Sequence, residues 1–196
     1  KSTLFNRFVG SRRAIVSETP GTTRDHVMER VEWEEMDFLL LDTGGMGGGS
    51  VDTDFEKDVS AQSTVALSSA DLILFTVNAK EPMTSSDDAV IEVLRKQKRK
   101  HVPIIIVATK CDNRETAEQA EVEYQSLGIA DDIIPISAVH NIGVTDLEQT
   151  IVKHLKTLHF EKRKKEEATD SRMPRIALVG RPNVGKSSLV NAFMSD

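Results

Sequence analysis

The chain has 196 residues, of which 39% are hydrophobic and 29% are charged, the composition of a soluble globular protein with enough apolar material for a core. Its formal net charge of −6 argues against a generally basic surface for nucleic acid. The single cysteine, Cys111, excludes an internal disulfide and a cysteine cluster for metal. No uncharged apolar run approaches the roughly 20 residues of a membrane span. With a single cysteine and no internal disulfide, a cytoplasmic location fits best.

Predicted strands and helices alternate along the chain. We expect a helix at 2–9, extended segments at 14–17 and 26–33, a strand at 38–41, a helix at 55–69 and a strand at 72–77. A helix capped near Thr84, a strand at 103–109, a helix at 115–127 and a strand at 133–136 follow. The last helix of this series carries an apolar face, and Thr145 and Glu148 have the spacing of a capping box at its start. The alternation predicts an α/β fold, a mostly parallel sheet with helices on both faces.

The sequence predicts two units joined by a linker. The first unit spans 1–159, a charged linker spans 160–174, and 175–196 has the strand, loop and helix that open a second unit. The chain begins Lys-Ser-Thr-Leu-Phe-Asn, which echoes Lys-Ser-Ser-Leu-Val-Asn at 186–191. We interpret Lys1, Ser2 and Thr3 as the tail of a first phosphate loop whose strand and glycines are missing.

The strongest motif follows the apolar run at 176–179 and matches G-x-x-x-x-G-K-[ST]. Its residues are Gly180, Arg181, Pro182, Asn183, Val184, Gly185, Lys186 and Ser187. The glycines allow backbone N–H groups to surround phosphates, the lysine reaches the β- and γ-phosphate oxygens, and the serine hydroxyl can bind Mg²⁺. A strand-to-helix turn without a ligand is the alternative. The strand before the motif and the helical pattern after it favour a nucleotide site.

Two further segments suit a γ-phosphate and its magnesium ion. Directly after the strand at 38–41 come Asp42, Thr43, Gly44, Gly45 and Met46. The aspartate can hold Mg²⁺ through water, and the N–H of Gly45 can approach a γ-phosphate because no Cβ intervenes. In a loop marked by a Pro-Gly pair, Thr23 can bring a hydroxyl to the same ion. Taken alone, each segment also fits a plain turn.

A third group of residues suits a guanine base. After the strand at 103–109 the chain reads Thr109, Lys110, Cys111 and Asp112. The carboxylate can accept both guanine N1–H and N2–H₂, while the lysine stem packs over the base. Ser137 and Ala138 follow the next strand, where a backbone N–H can meet the guanine O6. A solvated Lys–Asp turn is the competing interpretation.

In this order and rough spacing the motifs resemble those of the Era-like GTPases, the TrmE-Era-EngA type. The resemblance is most specific at 21–25, 42–46 and 180–187, and it covers nearly all of the chain. A second phosphate loop after a complete set of motifs points to the branch with two GTPase domains in tandem and then a KH-like domain. The resemblance implies hydrolysis of GTP to GDP in a cytoplasmic factor that assembles the large ribosomal subunit, with its RNA and protein as partners.

The resemblance also implies roles for the site residues. Those expected to act in catalysis are Thr23, Gly45 and Lys186, and those expected to bind Mg²⁺ are Ser2, Thr23, Asp42 and Ser187. Asn183 matches the residue with which some relatives hold K⁺. Met46 lies where many small GTPases place a water-orienting glutamine, and Era-like members are similar in having an apolar residue there. Thr109 replaces the more usual asparagine of the guanine motif.

Several alternatives remain open at the level of sequence. The chain could be a non-catalytic GTP/GDP-binding scaffold, which the apolar Met46 makes reasonable, or a fragment inert toward nucleotide. An ATP-using enzyme is disfavoured by Lys110 and Asp112. The segment 175–187 could supply the missing strand and loop to residues 1–159, within one chain or in a strand-exchanged dimer. A second domain that continues downstream is the plainer explanation.

Overall fold

The computed structural model describes residues 27–42, 67–98, 101–161, 172–181 and 183–194, and six strands and four helices lie with both ends inside these ranges. The strands are β1 (Val27–Glu32), β2 (Asp37–Asp42), β3 (Leu72–Asn78), β4 (Ile104–Thr109), β5 (Asp132–Pro135) and β6 (Arg175–Val179). The helices are α1 (Ser85–Lys98), α2 (Arg114–Gln125), α3 (Val144–Thr157) and α4 (Lys186–Phe193).

The strands form one sheet in the order β1-β2-β6-β3-β4-β5. Only the β1–β2 pair is antiparallel among these, and the other four pairs are parallel. The predicted α/β fold with a mostly parallel sheet is therefore confirmed. The carboxyl ends of the parallel strands meet at one edge, which is where α/β sheets bind ligands.

The last strand of the chain occupies a central place in the sheet. Leu39, Leu40, Leu41 and Asp42 of β2 pair with residues 175–178 on one side of β6, and residues 72–75 of β3 pair with it on the other. This is the within-chain form of the hypothesis that 175–187 completes the sheet. The division at 159 and 174 stays a prediction, because residues 1–26 and 162–171 lie outside the described residues.

Continuous apolar runs explain why β3, β4 and β6 are central strands. Every residue of β3 and β4 is buried, as expected for strands covered by helices on both faces. Successive side chains point to opposite faces, so Leu72 and Leu74 contribute to one core while Ile73 and Phe75 contribute to the other. Helices α3 and α4 cover the first face, and α1 and α2 cover the second.

Two contacts anchor the ends of the segment formed by β6 and α4. Asp71 accepts a hydrogen bond from the backbone N–H of Arg175 at 2.9 Å, and its carboxylate is also paired with Arg172 at 2.8 Å. At the other end, Trp33 donates its indole N–H to the carbonyl of Phe193 at 3.2 Å and makes an edge-to-face ring contact with that side chain. The segment is thus tied to residues more than 100 positions earlier.

The start of the last predicted helix differs from the expectation. Helix α3 begins at Val144, with Gly143 as its N-cap and no side-chain capping bond, so the capping box at Thr145 and Glu148 was wrong. The reason is steric, because Gly143 has φ +69° and a Cβ there would strike the carbonyl oxygen of Pro135. The other described elements agree with their predicted bounds to within about two residues.

Some of the predicted elements lie outside the described residues, namely the helix at 2–9, the extended segment at 14–17 and most of the helix at 55–69. The last three residues of that helix, 67–69, are described and are helical. Within the described ranges, no helix has the length and apolar character needed to cross a membrane.

Candidate functional site

The phosphate-loop motif lies between β6 and α4, at the edge where the parallel strands end. Gly180 leaves the strand with φ +150°, and Gly185 precedes α4 with φ +101°. Asn183 also has a positive φ, +64°, which asparagine tolerates better than most residues. These three positions turn the chain from strand to helix. Helix α4 therefore begins directly at the loop, and the N-terminus of a helix attracts anions.

Lys186 lies within this loop. Its ammonium donates to the carbonyl oxygens of Gly180 at 2.5 Å and Arg181 at 2.7 Å, and only 6% of the residue is exposed. A buried cation bonded to neutral carbonyls is an electrostatically favourable neighbour for an anion. The loop can therefore bind phosphate through both its lysine and its backbone.

Thr109 connects the phosphate loop to the segment that follows β4. Its hydroxyl lies 2.9 Å from the carbonyl oxygen of Val77 and 2.5 Å from that of Val184, and it can donate its one hydrogen to either. Both the side chain and Val184 are buried. The contact brings the predicted guanine motif next to the predicted phosphate loop, although 75 residues separate them in the chain.

The backbone of Thr109–Asp112 forms a tight turn. Lys110 has φ +63°, and the N–H of Asp112 donates to the carbonyl of Lys110 at 3.0 Å. Cys111 points into the core, and its N–H donates to the carbonyl of Ile136, the first residue after β5. Burial raises the pKa of the Cys111 thiol, so this cysteine is a structural residue. Its position fixes the two charged side chains on either side of it.

The Asp112 carboxylate has a specific set of neighbours. Its Oδ2 accepts a hydrogen bond from Lys80 at 2.5 Å, and its Oδ1 accepts one from the Ser137 hydroxyl at 2.7 Å. His140 lies 4.0 Å from Oδ1. The bond from Lys80, followed by that from Ser137, lowers the pKa of Asp112 below its ordinary value. The carboxylate is therefore charged at neutral pH and turned toward the segment after β5.

Arg181 and Lys110 share a counter-ion, which is Glu81. The carboxylate of Glu81 lies 2.7 Å from the Arg181 guanidinium and 3.8 Å from the Lys110 ammonium. Asp87, buried in the first turn of α1, lies 3.5 Å from the same guanidinium. The phosphate loop and the guanine motif are thus linked through the turn after β3.

Lys80, Glu81 and Asp87 were missed at the level of sequence. One signal could have found the first two, since they directly follow the buried strand β3 and parallel strands end at a common edge. Charged residues after a central strand are therefore placed beside the motifs that follow its neighbours.

A pocket of about 300 Å³ opens between these segments. It is lined by Thr109, Lys110, Asp112, Ser137, Ala138, Val139, His140, Gly185 and Ser188. A larger and more open groove, about 510 Å³, lies beside α3 and is lined by Glu35, Gln149, Val152, Lys153, Lys156 and Thr157. We take the smaller pocket as the candidate site, because charged and backbone groups from three sheet connections converge on it.

The structure describes only part of the predicted site. Residues of the phosphate loop, of 109–112 and of 137–138 lie together, whereas Asp42 is described only by its backbone, which ends β2 opposite Leu178. The predicted residues outside the described ranges are Lys1, Ser2, Thr3, Thr23, Thr43, Gly44, Gly45, Met46 and Pro182.

Among the predicted magnesium ligands, Ser187 is the one whose side chain lies in the described part of the chain. It is exposed in the first turn of α4, and the backbone at the end of β2 lies beside β6 just before the loop. Mg²⁺ takes oxygen ligands, so the Ser187 hydroxyl is a suitable ligand type for the ion that the motif implies.

Comparison with known proteins identifies close relatives of the chain. The family described as 50S ribosome-binding GTPase matches residues 1–110 and 175–196. The chain is 41% identical over all of its 196 residues to GTPase Der of Staphylococcus saprophyticus and to GTPase Der of Staphylococcus haemolyticus, and 40% identical to GTPase Der of Staphylococcus aureus. It spans 42% of the length of each of these relatives.

Proposed function

The chain belongs to the family of 50S ribosome-binding GTPases, and we propose that it binds GTP and GDP in the pocket between the phosphate loop and Thr109–Asp112. The membership confirms the resemblance predicted from the motifs, to the branch named Der or EngA. Because the chain spans less than half of those relatives, the activity and partners of the whole protein enter as proposals.

One observation carries the proposal. The phosphate loop, the turn at Thr109–Asp112 and the segment at 137–138 border one pocket, although 75 residues separate Thr109 from Val184 of the loop. In this arrangement Lys186 and the N-terminal N–H groups of α4 would bind the phosphates. Asp112 would accept the two guanine donors, and the stem of Lys110 would pack on the base.

We further propose that the chain hydrolyses GTP with Mg²⁺. Ser187 and Asp42 would hold the ion, joined by Thr23 and, in the first phosphate-loop tail, by Ser2. The ion would neutralise charge that develops on the β- and γ-phosphates. Lys186 would stabilise the same charge, and the N–H of Gly45 would contact the γ-phosphate. Asn183, exposed and with its positive φ in the loop, is the proposed K⁺ ligand.

The proposed partner of the whole protein is the large ribosomal subunit, in the cytoplasm. The family description supports this, since it names 50S ribosome binding. Co-sedimentation of the chain with purified 50S subunits, with GTP, GDP or a non-hydrolysable GTP analogue, tests it. Absence of the chain from the pellet with all three nucleotides would contradict the proposed partner. Equal amounts in the pellet with all three would show binding that does not depend on the nucleotide.

The first experiment is a binding titration of GDP, GTP and ATP in Mg²⁺ and K⁺ with the wild-type chain and Lys186→Ala. We expect guanine nucleotides to bind at least tenfold more tightly than ATP, and Lys186→Ala to weaken GDP binding by tenfold or more, since a lost charge-assisted hydrogen bond is worth about 1.4 kcal/mol or more. Lys156→Ala is the matched control, because Lys156 pairs with Glu35 beside the other groove.

Two results would contradict the proposed binding site. ATP binding as tight as GDP binding would remove the guanine assignment of Asp112. An unchanged GDP affinity in Lys186→Ala, with Lys156→Ala equally silent, would place the nucleotide elsewhere. Single-turnover measurement of phosphate release separates the GTPase from a non-catalytic scaffold, which would bind GTP without cleaving it.

A further inference from the structure

We infer that Lys80 is a positioning residue for guanine recognition, which acts by holding the Asp112 carboxylate in the orientation that accepts the base. The inference rests on the proposed function, because it concerns the same pocket. Its basis is the contact between the Lys80 ammonium and Asp112 Oδ2 at 2.5 Å, together with the Ser137 hydroxyl on Oδ1 at 2.7 Å.

The arithmetic of hydrogen bonds supports this role. An ionised carboxylate has about four lone-pair sites, two on each oxygen. Lys80 uses one site on Oδ2 and Ser137 uses one on Oδ1, so one site remains on each oxygen for a further donor. Guanine presents two donors, N1–H and N2–H₂, on one edge. The two protein donors therefore fix the carboxylate plane without consuming the sites that the base needs.

Lys80 itself is held by a turn fixed to the neighbouring strand. Its backbone N–H donates to the Asn78 side-chain oxygen at 3.1 Å, and the N–H of Glu81 donates to the Asn78 carbonyl at 3.2 Å. The residue before Lys80, Ala79, donates its N–H to the carbonyl of Thr109 at 3.0 Å. The turn is thereby joined to the first residue of the guanine motif. This separates Lys80 from an ordinary surface lysine, although half of its side chain is exposed.

Two ion pairs lie side by side, and in each of them a residue of the turn after β3 faces a residue of the guanine motif. Lys80 faces Asp112, and the next residue, Glu81, faces Lys110. His140, on the segment after β5, is a further ionisable group near Asp112, 4.0 Å from its Oδ1. Two adjacent residues after β3 thus supply the counter-ions for both charged residues of the guanine motif.

The test compares Lys80→Met and Lys80→Arg with the wild-type chain in titrations of GDP, IDP and ADP. Inosine lacks the N2 amine of guanine, so the ratio of the GDP and IDP affinities measures the second hydrogen bond that guanine donates to Asp112. We expect Lys80→Met to weaken GDP binding about threefold to fivefold, the range for an exposed ion pair, and IDP binding less than twofold. Lys80→Arg should restore GDP affinity to within twofold. ADP binding should not change.

Lys98→Met is the matched control. Lys98, the last residue of α1, pairs with Asp131 at the same 2.5 Å, its side chain is 35% exposed against 50% for Lys80, and neither residue of this pair lines the pocket. A ¹³C titration of the Asp112 carboxyl carbon in the nucleotide-free chain gives an independent readout. Because Lys80 lowers the pKa of Asp112, Lys80→Met should raise it toward its ordinary value, with Lys98→Met silent.

The outcomes distinguish the two proposals. One outcome would overturn the positioning role of Lys80 and leave the guanine site standing. In it, the wild-type chain binds GDP more tightly than ADP, but Lys80→Met leaves the ratio of the GDP and IDP affinities unchanged. Equal losses for GDP, IDP and ADP would overturn it too, as a general structural effect. If the wild-type chain does not discriminate GDP from ADP, the proposed function fails, and this inference with it.

Discussion

Gly180 is the residue on which the phosphate loop depends most directly. With φ +150°, it has a backbone conformation that residues with side chains rarely adopt, and a Cβ would strike the carbonyl oxygen of Thr76 in β3. Gly180→Ala should therefore lower the free energy of unfolding by about 2 kcal/mol or more. The loop should also shift, weakening GDP binding. Urea denaturation and a GDP titration measure the two effects.

Gly128→Ala provides the control for Gly180. Gly128 has φ +64°, but among the described residues other than its two chain neighbours no atom lies within 4 Å of the place its Cβ would take. We expect a loss of only about 1 kcal/mol from the left-handed backbone. If both variants lost the same stability, the contact with Thr76 would have no separate effect.

At the scale of elements, Asp71 holds the first residue of β6 in place through hydrogen bonds and an ion pair. Its carboxylate accepts the backbone N–H of Arg175 and pairs with Arg172, while its own N–H donates to the Arg175 carbonyl at 2.8 Å. Asp71→Ala leaves a partly buried N–H without this acceptor, so the free energy of unfolding should fall by about 1–3 kcal/mol. Hydrogen exchange at the Arg175 amide should also become faster.

Glu35→Ala is the comparison for Asp71→Ala. It removes a carboxylate from an exposed ion pair with Lys156 and should cost no more than about 0.5 kcal/mol. Stability losses of equal size in the two variants, with unchanged exchange at Arg175, would show that the Asp71 contacts do not hold β6.

At the scale of the whole molecule, the sheet depends on β6. Ile176, Ala177 and Leu178 are fully buried, and the strand is bonded on both sides. A chain that ends after Glu161 would leave the facing edges of β2 and β3 unpaired, and such edges promote aggregation. We expect this chain to lose cooperative unfolding and to form oligomers in sedimentation velocity experiments, and a peptide of residues 172–194 added in trans to restore both properties.

A chain that lacks only residues 195–196 is the control for this deletion. It retains β6 and α4, and should behave as the full chain does. A chain ending at Glu161 that stays monomeric and unfolds cooperatively would contradict the central role of β6. Exchange of the segment between two chains stays a prediction, which the same sedimentation experiment tests.

Much of the fold was predictable from local sequence. The apolar runs at 72–77 and 103–109 became β3 and β4 with a shift of one residue, because continuous apolar runs have few places in a protein other than a sheet covered on both faces. The turn of the phosphate loop between strand and helix was also predictable, because its glycines permit the positive φ angles that the turn needs. The start of α3 was not, because the requirement for Gly143 comes from the carbonyl of Pro135 rather than from its neighbours in sequence.

The amino-acid sequence by itself determined the class of fold, the family and the motifs that carry the proposed chemistry. Only the tertiary structure decided that β6 lies between β2 and β3, and that Lys80 and Glu81 are partners of Asp112 and Lys110. The physical reason is that an apolar pattern specifies that a strand is buried but not which strands lie beside it. The strand order also brings together the ion pairs Lys80–Asp112 and Glu81–Arg181, whose residues are 32 and 100 positions apart. Such pairs cannot be derived from spacing along the chain, because only residues three or four apart on a helix are neighbours by spacing alone.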